Sequence, residues 1–292
     1  MKNLSDFINE NLVNEVSVEL ATRAYHRSTG DQKIRIGKLI QQKVERMLQD
    51  ATYAGVDIAK PEPIKYQFKP ENRIELIKLI ERLIEERGNN ADLNDIDTSG
   101  ITDMCDLFNI FPNFNGDISK WDVSDVENME DMFRGSLFNG DISKWDVRRV
   151  EKMYGMFQDS KFNGDISKWD VGDVKDMSYM FAGSKFTGDI SKWDVRRVKD
   201  MRCMFYKSNF NGDISKWNVR KVIDMSFMFA DSEFNNDISK WDVSLVEKMA
   251  GMFNNSKFNG DINNWDTAFV EDMSWIFIGS PLQNNPPAWY RD

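Results

Sequence analysis

The hydrophobic positions in the last two-thirds of the chain recur with a fixed period of 24 residues. Tryptophan marks the period at Trp121, Trp145, Trp169, Trp193, Trp217, Trp241 and Trp265. The unit reads F-N-G-D-I-S-K-W-D-V-x-x-V-x-x-M-x-x-M-F-x-x-S-x, and seven copies run from Phe114 to Pro281. A fixed period of this length is typical of a solenoid, in which each unit packs on its neighbours.

Within one copy the apolar spacing changes from that of a strand to that of a helix. Trp121 and Val123 lie two residues apart, which is the period of a strand. Val126, Met129 and Phe133 then follow at three- and four-residue spacing, which places them on one face of a helix. The pattern predicts that each copy forms a short strand, a corner, a short helix and a return turn at its Asn-Gly pair.

Both ends of the array are degenerate copies. Ile101, Met104, Leu107 and Phe108 match the second half of a copy at a spacing of 25, so an N-terminal half-repeat spans 91–113. Prolines after the seventh copy indicate a C-terminal cap at 282–292. The sequence therefore predicts that residues 91–292 form a right-handed α/β solenoid of the leucine-rich-repeat type, with seven 24-residue repeats and caps.

Residues 1–90 lack the repeat and predict a small all-α module. Ser5 and Asp31 are candidate caps of two helices. A third helix begins with Pro70 in its first turn and ends at Gly88. Its isoleucine and leucine stripe packs either on the other two helices or on the open edge of the first repeat. We expect the module to serve targeting, capping or oligomerisation, and a homo-oligomer through it is one option.

Charge and composition exclude several classes of function. The net charge is −10, and it lies entirely after residue 92, which argues against a nucleic-acid or anionic-membrane binder. Two cysteines and one histidine exclude a disulfide scaffold and a Cys/His zinc cluster. No apolar run reaches the roughly 18 residues of a membrane span, and no secretory signal is visible. The expected location is the cytoplasm of a bacterium or an infected host, with a virion as the alternative.

The repeated Trp-Asp-Val, Met-x-x-Met-Phe and Phe-Asn-Gly elements resemble the BspA-like leucine-rich-repeat family, whose repeat of about 25 residues occurs in bacterial surface proteins. The resemblance covers residues 93–281. It implies a curved solenoid that binds other macromolecules and has no catalytic residues. Surface members carry export signals, which this chain does not show.

The N-terminus carries a second resemblance. Met1 to Glu10 is similar to the short leader of internal head proteins of tailed phages, which directs them into the capsid and is cleaved after a glutamate. Glu10 and Glu15 are the candidate cleavage sites. The alternative is an ordinary first helix.

Three rows of recurring side chains could carry chemistry. The rows of Asp117 and Asp122 either bind Ca²⁺ or cap turns and pair with the row of Lys120. The row of Trp121 is either a sugar-stacking platform or a core layer, and the lack of variation favours the core. Neither His26 nor Cys203 lies in a nucleophile–base pattern, and no phosphate loop is present. The sequence predicts no enzyme and no cofactor.

The variable positions are the candidate binding residues. One slot holds, in copy order, Asp131, Gly155, Tyr179, Cys203, Phe227, Gly251 and Trp275. On a helical wheel this slot points to solvent, so its three aromatic side chains predict an exposed interface that Tyr206 extends. The alternative is scattered surface residues, or aromatic side chains that the C-terminal tail covers.

A second variable slot carries three dibasic pairs, Arg148-Arg149, Arg196-Arg197 and Arg220-Lys221. These pairs either contact an acidic partner or neutralise the aspartate rows. Together the patterns predict a non-enzymatic scaffold that binds a protein partner, with no nucleic acid and no membrane insertion. The alternatives are a virion-packaged structural or host-interaction protein and an adhesin for carbohydrate or a host surface.

Overall fold

The computed structural model describes residues 66–291. The chain divides into two compact units, Met1–Ile64 and Lys65–Asp292. The predicted leader, the first two helices of the N-terminal module and His26 lie outside the described residues. The described part contains the helix α1 (Arg73–Arg87) and a 3₁₀ helix (Pro281–Asn284); its strand pairing consists of isolated parallel bridges.

Local capping sets the limits of α1. Asn72 is its N-cap, and its side-chain oxygen accepts a hydrogen bond from the Glu75 N–H at 3.1 Å. Pro70 therefore precedes the cap by two residues, and its predicted place in the first turn is wrong. Gly88 ends the helix as predicted, with a φ of 83° that favours glycine.

The apolar side of α1 closes the open end of the N-terminal half-repeat. Its buried side chains belong to the same core as the repeats: Leu76, Ile80 and Leu83. Arg73 Nε donates to the Cys105 carbonyl at 2.6 Å, and Arg87 pairs with the Asp95 carboxylate at 3.0 Å. The apolar stripe of the third predicted helix thus packs on the open edge of the first repeat, which is one of the two predicted arrangements. Helix α1 belongs to the same compact unit as the repeats.

Successive copies stack in parallel, each shifted by one repeat. One residue per copy contributes to a column of parallel bridges: Asp103, Asn128, Lys152, Asp176, Asp200, Asp224, Lys248 and Asp272. Next to this column, backbone N–H groups donate to carbonyls of the following copy. Between copies two and three, for example, Gly155 N–H donates to Ser178 O at 2.9 Å and Phe157 N–H to Met180 O at 2.9 Å. The backbone is thus hydrogen-bonded both between copies and within the tight turns of each copy.

The predicted strand and helix of each copy are absent from the described repeats. The Met-x-x-Met-Phe segment is a run of tight turns, in which Met156 N–H donates to Met153 O at 3.3 Å and Gln158 N–H to Gly155 O at 2.9 Å. Gly155 and Asp159 have left-handed φ values of 56° and 55°. Alternate N–H groups point to the next copy, so the hydrogen bonds of an α-helix cannot form. The turns still place apolar residues three and four apart, which is why the periodicity indicated a helix.

The invariant apolar positions form one continuous core. The seven tryptophans of the full copies are only 3–4% exposed, which confirms a core layer and excludes a sugar-stacking platform. Each indole N–H donates to a carbonyl of the preceding copy, as Trp217 Nε1 does to Ile190 O at 3.1 Å. Phenylalanine rings stack along the array, with 5.7 Å between the centroids of Phe205 and Phe229.

The C-terminal tail continues part of the pattern. Trp289 follows Trp265 by one period, and its Nε1 donates to the Ile262 carbonyl at 2.7 Å. The two indoles stack with centroids 6.3 Å apart, and Leu282 is buried in the slot of the leading phenylalanine. The tail therefore supplies the first half of an eighth copy.

Candidate functional site

The variable residues near the bridge column form a surface that we name the ladder face. It comprises positions 130–131 and 134–135 of copy one and their equivalents in the other copies. Its backbone is held by the hydrogen bonds between copies, whereas its side chains differ from copy to copy. A constant framework thus carries a variable surface, which is the usual arrangement of a recognition site.

The predicted aromatic slot lies on this face, but two of its three aromatic side chains are half-buried. Every residue of the slot has a φ between 51° and 58°. In this conformation a large side chain leans over the small residue of the following copy: a Cβ on Gly155 would overlap Asp131, and one on Gly251 would overlap the Phe227 ring. The exposure expected of Tyr179 and Phe227 is therefore only partial, because the helical wheel does not apply to left-handed turns.

Tyr179 rests on Cys203 in the same manner. Its hydroxyl donates a hydrogen bond to the Cys203 thiol, and this bond together with burial raises the pKa of Tyr179 to about 12. Burial also raises the pKa of the Cys203 thiol. Both groups therefore keep their protons at neutral pH, and the pair is a packing contact with one hydrogen bond. Trp275, in the last copy, remains 61% exposed.

Aromatic and cationic side chains of copies two to four form two groups of contacts on the ladder face. The rings of Tyr154 and Tyr179 lie 5.5 Å apart, and the Arg202 guanidinium carbon is 5.7 Å from the centroid of Tyr179. In the same copy as Arg202, the Lys207 ammonium is 5.0 Å from the ring centroid of Tyr206. We call these five residues the tyrosine patch. Arg202 Nε is buried and has no hydrogen-bond partner among the described residues.

Sequence reasoning found two members of the tyrosine patch, Tyr179 and Tyr206, and missed Tyr154, Arg202 and Lys207. Tyr154 and Arg202 directly precede the variable slot of their copies. Lys207 lies two residues after Phe205. The residue type varies from copy to copy at these positions too, and this variation could have identified them as candidate binding residues. Phe227 and Trp275 lie farther along the same slot, in copies five and seven.

The dibasic slot is not part of the ladder face. Its arginines contact aspartates. Arg149 pairs with Asp125 at 2.6 Å, and Arg197 pairs with Asp173 at 2.6 Å in the preceding copy. The other arginines of the slot pair similarly: Arg148 with Asp146, Arg196 with Asp194, and Arg220 with Asp242. Lys221 is exposed. These contacts correspond to the neutralising alternative.

The aspartate rows cap turns. Asp189 Oδ1 accepts a hydrogen bond from the N–H of Ser191 at 2.9 Å, and this bond holds the pKa of Asp189 below its usual value. The same two-residue contact recurs along the row of Asp122. Within residues 66–291, no ion pair joins these rows to the row of Lys120, and no group of acidic, Cys or His side chains has the arrangement of a metal site. The lysine row acts on the aspartates at longer range, since the charge of Lys192, three residues after Asp189, also lowers the pKa of Asp189.

The comparisons with known proteins identify the family. Residues 78–187 and 183–289 each match the family described as "Mycoplasma protein of unknown function, DUF285". The chain belongs to this family. The two DUF285 matches follow one another along the repeats, as expected when a family unit spans several copies. No curated protein and no solved structure matches the chain. In the described part of this DUF285 protein, no helix is long and apolar enough to cross a bilayer.

Proposed function

We propose that this DUF285 protein is a non-enzymatic scaffold that binds a protein partner through the tyrosine patch. In this proposal, residues 91–292 form a right-handed solenoid of the leucine-rich-repeat type, related to the BspA-like repeats. The single observation that carries it is the presence of two aromatic–cation groups, with three tyrosines and two cations in all, on the ladder face of consecutive copies.

The side-chain types of the patch support recognition of a protein. Tyrosine and arginine are enriched among the residues that contribute most binding energy at protein interfaces. A tyrosine offers a large contact area at little cost in conformational entropy, since it has few rotatable bonds. The half-buried Arg202 guanidinium, 5.7 Å from the centroid of Tyr179, adds a positive charge to this aromatic surface.

The framework beneath the patch supports the same role. Gly155, Tyr179 and Cys203 donate their N–H groups to the following copy at 2.9 Å each, so the backbone of the patch is fixed before binding. A preformed surface loses less entropy on association than a flexible one. Two cations within an otherwise acidic array favour a partner with a negative or carbonyl-rich contact surface.

The test compares partner capture by three forms of the full-length protein from a lysate of the source organism. In the patch variant, Tyr206→Ala and Lys207→Ala remove a half-buried ring and the exposed cation that lies 5.0 Å from it. The matched control, Arg197→Ala, removes an exposed arginine of the dibasic slot, which is not part of the ladder face. We expect the patch variant to lose a partner that the wild type and the control both retain, with melting temperatures within a few degrees. Equal recovery by all three forms would refute the proposal.

A further inference from the structure

Asparagine–glycine pairs recur near the start of five copies, each within the same sequence Phe-Asn-Gly-Asp-Ile. They are Asn115-Gly116, Asn139-Gly140, Asn163-Gly164, Asn211-Gly212 and Asn259-Gly260. In such a pair the glycine backbone nitrogen can attack the side-chain carbonyl of the asparagine, because glycine has no side chain to hinder the approach. Since the neighbouring residues are identical, the five pairs have the same intrinsic reactivity, and a difference between them comes from the fold.

The following copy holds the side chain in four of the five pairs. In each case a backbone N–H one period further along donates to the asparagine Oδ1. The donors are Asn139 to Asn115, Asn163 to Asn139 and Thr187 to Asn163, each at 2.8 Å, and Asn235 to Asn211 at 2.9 Å. We call this series of contacts the asparagine ladder.

The asparagine ladder ends at Asn259. Gln283 lies one period further along, but Pro281–Asn284 form a 3₁₀ helix, and the Gln283 N–H donates to the Ser280 carbonyl at 3.1 Å. Asn259 Oδ1 therefore receives no hydrogen bond within residues 66–291. The Asn259 N–H does donate to Asn235 Oδ1 at 2.8 Å. The backbone of Asn259 is thus held as in the other copies, while its side chain is free to turn.

The other requirements of the reaction are met equally at the five pairs. Within the part of the chain that the structure describes, none of the five glycine N–H groups donates a hydrogen bond. All five asparagines are exposed, so water reaches each of them. The hold on the asparagine side chain is therefore the variable. A side chain in the asparagine ladder must give up its hydrogen bond before its Cγ can turn toward the glycine nitrogen.

We propose that Asn259 is the preferred deamidation site of this protein. The Gly260 nitrogen loses its proton and forms a bond to Cγ of Asn259. The Cγ–Nδ2 bond breaks, and the amide nitrogen leaves as ammonia with that proton. Water then opens the cyclic imide at either carbonyl, which gives aspartate or isoaspartate at position 259. The site is separate from the tyrosine patch and does not depend on it.

The test follows the five pairs within one sample of the full-length protein. The folded protein is incubated at mildly alkaline pH, digested, and analysed by mass spectrometry for the acid form of each asparagine. We expect Asn259 to deamidate at least about fivefold faster than each of the four asparagines held by the ladder. In concentrated urea the five rates should be equal, because the local sequences are the same. Equal rates in the folded protein, or a faster rate at a ladder-bonded asparagine, would overturn the proposal.

A variant within the array separates the asparagine ladder from a general loosening of the last copy. The Thr187 N–H and hydroxyl both donate to Asn163 Oδ1, at 2.8 and 3.4 Å, and the N–H makes no bond to the backbone. Thr187→Pro removes both donors and should accelerate deamidation of Asn163 at least about threefold, with Asn139 and Asn211 unchanged. The control, Thr187→Val, keeps the N–H and should leave Asn163 slow.

An unchanged rate at Asn163 in folded Thr187→Pro would overturn the role of the ladder, as would an equal acceleration in Thr187→Val. The melting temperature shows whether the proline variant folds. If it does not fold, the comparison of the five pairs in the wild type decides the proposal by itself.

Discussion

The indole N–H of Trp193 donates to the carbonyl of Ile166 in the preceding copy at 3.1 Å. The same side chain is 4% exposed and lies 6.2 Å from the ring of Phe181. One residue thus joins two copies through both apolar burial and a hydrogen bond to the backbone. Because the contact recurs along the array, it explains why tryptophan does not vary at this position.

Replacement of this tryptophan tests the importance of the contact. Trp193→Ala should lower the free energy of unfolding by about 3–5 kcal/mol, since it leaves a cavity and an unpaired carbonyl. Urea denaturation measures the change. The control is Trp275→Ala, which removes an exposed indole and should change stability by no more than about 0.5 kcal/mol. Equal effects of the two variants would contradict the assignment of the tryptophan row to the core.

The buried serines of the repeat should matter despite their small size. Ser208 is 1% exposed, and its Oγ accepts a hydrogen bond from the Phe210 N–H at 3.1 Å. Ser208→Ala leaves this buried N–H without an acceptor, which should cost about 1–3 kcal/mol. Thermal or urea unfolding measures the loss. Asn209→Ala, at the exposed neighbouring position, is the control and should be close to neutral.

Acid should destabilise the array through its turn-capping aspartates. Hydrogen bonds from serine hold the pKa of Asp165, Asp189 and Asp213 below the usual 3.8. A carboxyl whose pKa is lower in the folded state contributes stability that is complete above its unfolded pKa. This contribution is lost as the pH falls from about 4 through the lower folded pKa. Melting temperatures across this range should fall, and Asp189→Asn should reduce the dependence on pH.

Asp131 should behave in the opposite way. Burial raises its pKa, and both its Oδ1 and the Gln158 Oε1 beside Gly155 are buried without hydrogen-bond partners. The folded state therefore favours the protonated carboxyl, and stability is lost as the pH rises from the unfolded pKa through the folded one. Asp131→Asn supplies a donor without a charge and should raise the melting temperature at neutral pH by a few degrees. The gain should vanish below pH 4, and a gain that is independent of pH would contradict this explanation.

Several features followed directly from the sequence because they depend on contacts that each copy makes in the same way. The period, the number of copies and the buried tryptophan and phenylalanine columns are of this kind. Gly88 also ended α1 as expected, since its positive φ is a local requirement of the helix end. The aspartate caps are equally local, because acceptor and donor lie only two residues apart.

Features that depend on contacts between two copies could be determined only from the tertiary structure. The N–H of Gly155 donates to Ser178 in the next copy, and this choice of partner produces turns in place of the predicted helix. Tyr179 and Phe227 are half-buried because the next copy offers Cys203 and Gly251 beneath them. The tyrosine patch likewise brings together residues of different copies, such as Tyr154 and Tyr179. The repeat pattern determines which residues are equivalent, but only the stacking of the backbone determines which neighbours they meet.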